Sequence, residues 1–199
     1  MNFYLPDFYN KYDLNLTIIH LLQNHPEYFY KDIKIGAIYG SFPAMIWNGG
    51  RLNLTKEECS NIEFYIKTFN DLKIPLRFTL TNNLISQEHL SDKYCNLIME
   101  IANNGYNEII INSSILEEYL RKKYLNYKYI LSTTKCERKI SKINNYCKKY
   151  DMVVLDFRDN NNWNFLSQLS SPEKIEILVN ATCDPACKFR ELHYSLISK

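Results

Sequence analysis

Short runs of β-branched and aromatic residues alternate along this chain with longer stretches whose apolar positions recur at helical spacing. The runs fall at Ile33–Ile38, Leu76–Leu80, Glu108–Ile111, Tyr127–Leu131, Met152–Leu155 and Ile175–Val179. Each is nearly continuous in apolar character, the pattern of strands covered on both faces of a parallel sheet. The stretches between them open on residues suited to helix starts. Thr55-Lys-Glu-Glu58 reads as a capping box, in which a hydroxyl and a carboxylate satisfy free amides of the first turn. Ser86 or Ser91 opens a second helix, and Gly105 suits its end, where positive φ costs little. Ser113 or Ser114 opens a third, and Cys136–Tyr150, Trp163–Leu169 and Lys188–Ile197 follow. A helix around Asn15–Gln23 precedes the first predicted strand.

Strand–helix units of this kind predict one α/β domain over residues 1–199, with 1–30 as an N-terminal extension and 31–199 as the repeating part. No Pro/Gly/Ser linker divides it. Two architectures fit: a partial or atypical TIM-type barrel of about six parallel strands, or an open doubly wound parallel sheet. A closed barrel takes eight strands and typically about 250 residues. A barrel here is therefore partial, or completed by a second copy or a partner chain.

Composition narrows the function classes. The chain has 24 basic and 22 acidic residues, a net charge of +2, without the basic excess that a nucleic-acid binder shows. Its densest basic stretch, Arg121-Lys122-Lys123, falls on a helix face turned to solvent. No apolar run approaches the roughly 18 residues needed to span a membrane, and the first residues lack a signal-peptide pattern. These features predict a cytoplasmic protein with no membrane or nucleic-acid partner, whose six cysteines are thiols or ligands, not disulfides.

In either architecture the functional crevice lies beyond the carboxyl ends of the strands, and every predicted strand exits into hydrogen-bonding side chains. Ser41, Trp47, Asn48, Arg51, Asn82, Asn180 and His193 are the candidate substrate-binding residues. Two adjacent glycines, Gly49-Gly50, let the backbone turn sharply or approach a ligand closely beside Trp47 and Arg51, although their spacing matches neither a dinucleotide loop nor a P-loop. Asp156 and Arg158 are the candidate catalytic pair, since alternation puts them on one side of the chain; a mutual ion pair is the competing structural account. Turn and cap chemistry explains many of the Ser, Thr and Asn residues at the exits.

The sharpest local signal is Cys183-Asp-Pro-Ala-Cys187, with Arg190 and His193 beyond it. Cysteines four apart, at a strand exit and before a helix, can aim two sulfurs at one centre, and a helix N-terminus favours thiolate. Zinc and iron–sulfur centres usually take four protein ligands, and Cys136, also past a strand end, is the third candidate. Two unligated thiols in a tight turn, or a nucleophilic cysteine with His193 as its base, are the alternatives. Cys59, Cys95 and Cys147 fall inside predicted helices as core residues.

The block from Glu176 to Tyr194, with Cys183, Cys187, Arg190 and His193, resembles the cysteine segment of the collagenase-like peptidase family. That superfamily includes the iron–sulfur proteins of oxygen-independent ubiquinone hydroxylation and of RNA-base hydroxylation. The resemblance implies a TIM-barrel-like fold and Cys183 and Cys187 as cluster ligands. Family members continue past this segment with more strands and cysteines, which implies a truncated or partnered version here, or one that has lost the chemistry. The leading expectation is an enzyme or enzyme-like subunit with an iron–sulfur or zinc centre at the strand ends. Against it stand a non-catalytic barrel-like protein that binds a ligand or partner, and a metal-free enzyme that uses Asp156 and Arg158 on an anionic or sugar-like substrate.

Overall fold

The computed structural model describes residues 1–49, 57–181, 183–184 and 187–198. Seven parallel strands stand side by side in chain order. They are β1 (Asn2–Pro6), β2 (Lys34–Gly40), β3 (Leu76–Leu80), β4 (Glu108–Ile111), β5 (Lys128–Leu131), β6 (Met152–Val154) and β7 (Ile175–Glu176). An α-helix follows each strand: α1 (Tyr12–Asn24), α2 (Ile62–Asp71), α3 (Lys93–Ile101), α4 (Ser114–Lys123), α5 (Ile140–Lys149), α6 (Trp163–Leu166) and α7 (Arg190–Leu196). Six strands lie where the hydrophobic runs predict them. The seventh, β1, corrects the expectation of an N-terminal extension, because residues 1–30 contain the first strand–helix unit. It occupies the sheet edge, where the missing N–H of Pro6 breaks no ladder.

Strand order separates the two expected architectures. A doubly wound sheet reverses its order at a switch point, and this one never does. The sheet is also curled. In a flat sheet β3 and β7 would lie four spacings, about 19 Å, apart. Instead Arg77 on β3 binds Glu176 on β7, with Nη1 2.5 Å from Oε2. Tyr4 on β1 donates its hydroxyl to the Met152 sulfur on β6 at 3.6 Å. The fold is an open, barrel-like α/β sheet.

Alternation along the strands sorts side chains between the two faces. Leu76, Phe78 and Leu80, Ile109 and Ile111, Tyr129 and Leu131, and Val153 and Leu155 face outward and make the main core with the helices. The concave face is layered. Arg77, Glu108 and Glu176 form an ionic floor beneath Tyr4. Ile110, Ile130 and Val154 form a small apolar cluster with Tyr39 and Leu178. Beyond these come the polar exits.

Local signals fix the helix starts. Asp92 accepts the Cys95 amide at 2.7 Å to cap α3, and Ser113 accepts the Leu116 amide at 3.3 Å to cap α4. Ser86 instead caps a short 3-10 turn, Gln87–Ser91, with His89. Thr55 and Lys56 of the expected capping box lie outside the described residues, and α2 begins at Ile62. The last helix lies across the carboxyl ends of the strands. From α7 and the turn after it, Ser195 accepts from Asn83 at 3.0 Å, Ser198 reaches the Gly49 carbonyl at 3.5 Å, and Arg190 reaches Thr133 at 3.1 Å. No helix among the described residues is long and apolar enough to cross a membrane.

Candidate functional site

A cavity of about 390 Å³ opens at the carboxyl ends of the strands, beneath α7. Each part of its wall comes from a different strand exit. Asp7 and Asn10 follow β1, Ser41 and Asn48 follow β2, and Thr79 and Thr81 stand on β3 and its exit. Ser132, Thr133 and Thr134 follow β5; Glu176, Asn180 and Cys183 come from β7 and its exit; Arg190 and Tyr194 come down from α7. Tyr39, Ile110, Val154 and Leu178 supply the apolar part of the lining.

Neighbours orient many of these groups. Asp7 turns the chain with φ of 60° and accepts from the Asn10 amide at 3.0 Å. Thr79 donates to Asn48 Oδ1 at 3.2 Å. Thr133 donates to the Leu155 carbonyl at 2.8 Å, which ties the β5 exit to the end of β6. Burial pushes the Tyr194 phenol up to about 12, so it stays a donor at neutral pH.

The floor holds two carboxylates and one guanidinium. Arg77 Nε pairs with Glu108 and Nη1 with Glu176, while its face lies 3.8 Å from the Tyr4 ring centroid. Burial raises the Glu176 carboxyl above its ordinary value; Arg77 pulls it down, and the charge of Glu108 adds to the rise. Glu176 is thus a buried carboxyl in the cavity wall that takes up a proton readily.

The predicted site residues divide. Ser41, Asn48, Asn180 and Cys183 meet in the cavity wall. Trp47 does not: it is fully buried, donates Nε1 to the His89 carbonyl at 2.8 Å and packs edge-on to Tyr119. Asn82 clamps the Trp47 loop, donating to the Ile46 carbonyl at 2.7 Å and accepting from the Leu84 amide at 2.8 Å. Gly49 serves a close backbone approach, as expected of a glycine there, but the partner is protein: a Cβ would collide with the Asn82 backbone. Gly50 and Arg51 lie outside the described residues. His193 sits exposed on α7, stacked on Tyr194.

Asp156 and Arg158 take the geometry of the competing structural account. Arg158 grips Asp156 with Nε on Oδ1 at 2.9 Å and Nη2 on Oδ2 at 2.8 Å, and its backbone amide bonds Oδ1 as well. Burial works to raise the Asp156 carboxyl, but these bonds and the charges of Arg158 and Arg190 outweigh it and hold the group below its ordinary value. The pair stands behind the cavity, among the supports of its wall.

The cysteines do not assemble one ligand set. Cys59, Cys95 and Cys147 are buried in the core, as expected. Cys183 and Cys187 are half-buried, Cys183 in the cavity wall, and Pro185 between them lies outside the described residues. Cys136 is buried with φ of 52°; burial raises its thiol, against the pull of the Arg190 guanidinium beside it. Among the described residues no three His, Cys, Asp or Glu side chains group as metal ligands, so those residues by themselves do not fit an iron–sulfur or zinc centre.

Several wall residues escape sequence reasoning. Asp7 and Asn10 carry no motif, and Tyr194 enters only as the last residue of the family-like block. Arg77, Glu108 and Glu176 do carry a signal: a charge inside a run otherwise apolar on both faces has to find a partner within the protein.

No family model and no curated protein matches this sequence. Among solved structures, the chain is similar to the U32 peptidase Mk0906, with a TM-score of 0.60 and 16% identity over 90% of this chain and 72% of that one. At that identity the likeness establishes a shared fold.

Proposed function

We propose that this chain is an enzyme-like member of the collagenase-like peptidase superfamily that binds a small polar molecule at the carboxyl ends of its strands. The cavity carries this reading: polar groups from six separate stretches of chain converge on one pocket of about 390 Å³, within the range of small-molecule sites. The shared fold with a U32 peptidase and the Cys183–Tyr194 resemblance support the superfamily. Six unpaired cysteines, four of them buried, favour the cytoplasm.

The test is a thermal-unfolding screen with panels of sugars, nucleosides and small acids. A ligand at one hundred times its dissociation constant stabilises by about 2.7 kcal/mol. Genuine hits lose their effect in Asn180→Ala and Thr79→Val and keep it in Asn164→Ala, at an exposed residue of α6 outside the cavity lining. Hits insensitive to both wall substitutions would place binding elsewhere.

A metal-bearing version of this reading is favoured by Cys183, which stands in the cavity wall. It requires ligands beyond any group found among the described residues. Iron and sulfide analysis of anaerobically purified protein decides it: stoichiometric metal absent from Cys183→Ser supports the centre, and metal-free protein removes it. The alternative from another class is a non-catalytic protein completed by a second copy or a partner. It is favoured by the outer edges of β1 and β7, unpaired among the described residues. A strictly monomeric protein in sizing experiments counts against that alternative.

A further inference from the structure

We propose that the cavity contains an anion subsite built on Arg190, which receives a carboxylate or phosphate group of the bound molecule; this rests on the small-molecule reading above. Arg190 is 5% exposed and forms part of the cavity wall. Its Nη2 donates to Thr133 Oγ1 at 3.1 Å, and its guanidinium lies 4.3 Å from the Phe157 ring centroid and 5.0 Å from that of Tyr194. The group is held in place by aromatic rings, one hydroxyl and a 3.3 Å ion pair with Asp156, a carboxylate it shares with Arg158, so its charge is only partly cancelled.

The nearest carboxylate is already taken. Arg158 occupies both Asp156 oxygens, and Arg190 Nε approaches Oδ2 only at 3.3 Å, without a hydrogen bond. Arg138 takes the next one, Asp159, through both oxygens at 2.7 Å. Glu137 has Lys142. Glu191 is exposed to solvent, and Cys136 is held toward its neutral thiol form by burial. Within this cluster three guanidiniums, Arg138, Arg158 and Arg190, thus share two buried carboxylates, an excess of one positive charge on the Arg190 side of the cavity.

A buried guanidinium that has only a shared carboxylate beside its Nε is costly unless a further anion joins it. Carboxylate and phosphate are the groups whose paired oxygens match its donor fork. The hydroxyls of Ser132, Thr133 and Thr134 line the same wall and can complete the shell of such a group. The carboxylates of the wall, Glu176 on β7 and Asp7 after β1, come from other strands, so an anionic group is directed to the Arg190 side.

The experiment follows the arginine Nε–H signals of ¹⁵N-labelled wild-type protein during titration with methyl phosphate, sodium acetate and, as a neutral probe, glucose. Arg190→Lys assigns the signal by removing it. The expected result is a saturable shift of the Arg190 signal with methyl phosphate, acetate or both, and none with glucose. Which anion acts tells phosphate from carboxylate. Binding is expected to weaken at least tenfold in Arg190→Gln; the wild-type signal keeps the proposal testable if that variant fails to fold. A stationary Arg190 signal, or anion binding unchanged in Arg190→Gln, overturns the subsite. If glucose or a screened neutral ligand still shifts the Ser132 and Asn180 amides, the cavity reading survives that failure; if nothing shifts them, both fall together.

Discussion

Asp156 and Glu176 are both buried carboxylates facing guanidiniums, yet their environments push them in opposite directions. Asp156 has more positive charge around it than it can bond, so its ionised form is favoured. Replacement by Asn leaves Arg158 and Arg190 without a counter-charge, and breaking a buried pair in this way costs about 3–5 kcal/mol. Urea unfolding of Asp156→Asn should show a loss of that size, and a loss below 1 kcal/mol would mean that water reaches the cluster. Glu176 shares Arg77 with Glu108, and its folded-state affinity for a proton is raised. The stability it contributes is therefore full below the unfolded Glu value of about 4.3 and declines as pH rises through the folded value. Glu176→Gln cannot ionise, so wild type should lose stability relative to it as pH rises from 4 toward neutrality. A difference constant across that range would contradict the assignment.

At the level of elements, the outer helices and α7 do different work. α1 to α5 cover the convex face of the sheet, and the caps at Asp92 and Ser113 start two of them locally. α7 begins with a buried Arg190 and spans the mouth, bonded to the loops after β2, β3 and β5 and paired with Asp156. It also shields Cys136, which is 8% exposed. In native protein a thiol reagent should modify two cysteines per chain quickly, Cys183 and Cys187, and the four buried ones only slowly. Ending the chain at Phe189 should add Cys136 as a third fast thiol, read by mass spectrometry. If Cys136 stays protected, the helix is not what covers the mouth.

At the scale of the whole molecule, the curl of the sheet decides what the protein can bind. It brings β1 against β6 and β3 against β7, closes the floor with Tyr4, Arg77 and Met152, and leaves the polar exits around one opening. Tyr4→Ala and Met152→Ala test this directly, because residues in contact couple by about 0.5–3 kcal/mol and residues on distant strands of a flat sheet do not. A double-mutant cycle by chemical unfolding should give coupling of at least about 0.5 kcal/mol. Strict additivity would show that β1 and β6 do not approach.

The sequence by itself determined the repeating strand–helix order, because a covered strand and an amphipathic helix each leave a periodic trace in the residues that build them. Six strands, the parallel sheet and the rim of polar exits all follow from that trace. β1 left little trace, since an edge strand ending in proline is too short and too mixed to stand out. Only the tertiary structure decided that the sheet curls, that Trp47 turns into the core, and that Asp156 and Arg158 bind each other behind the wall. Those outcomes depend on which side chains from distant strands compete for the same space and charge. Glu176, Arg190 and Tyr194 belong to the cavity for the same reason: curvature and the docking of α7 bring them there, and neither is written in local spacing.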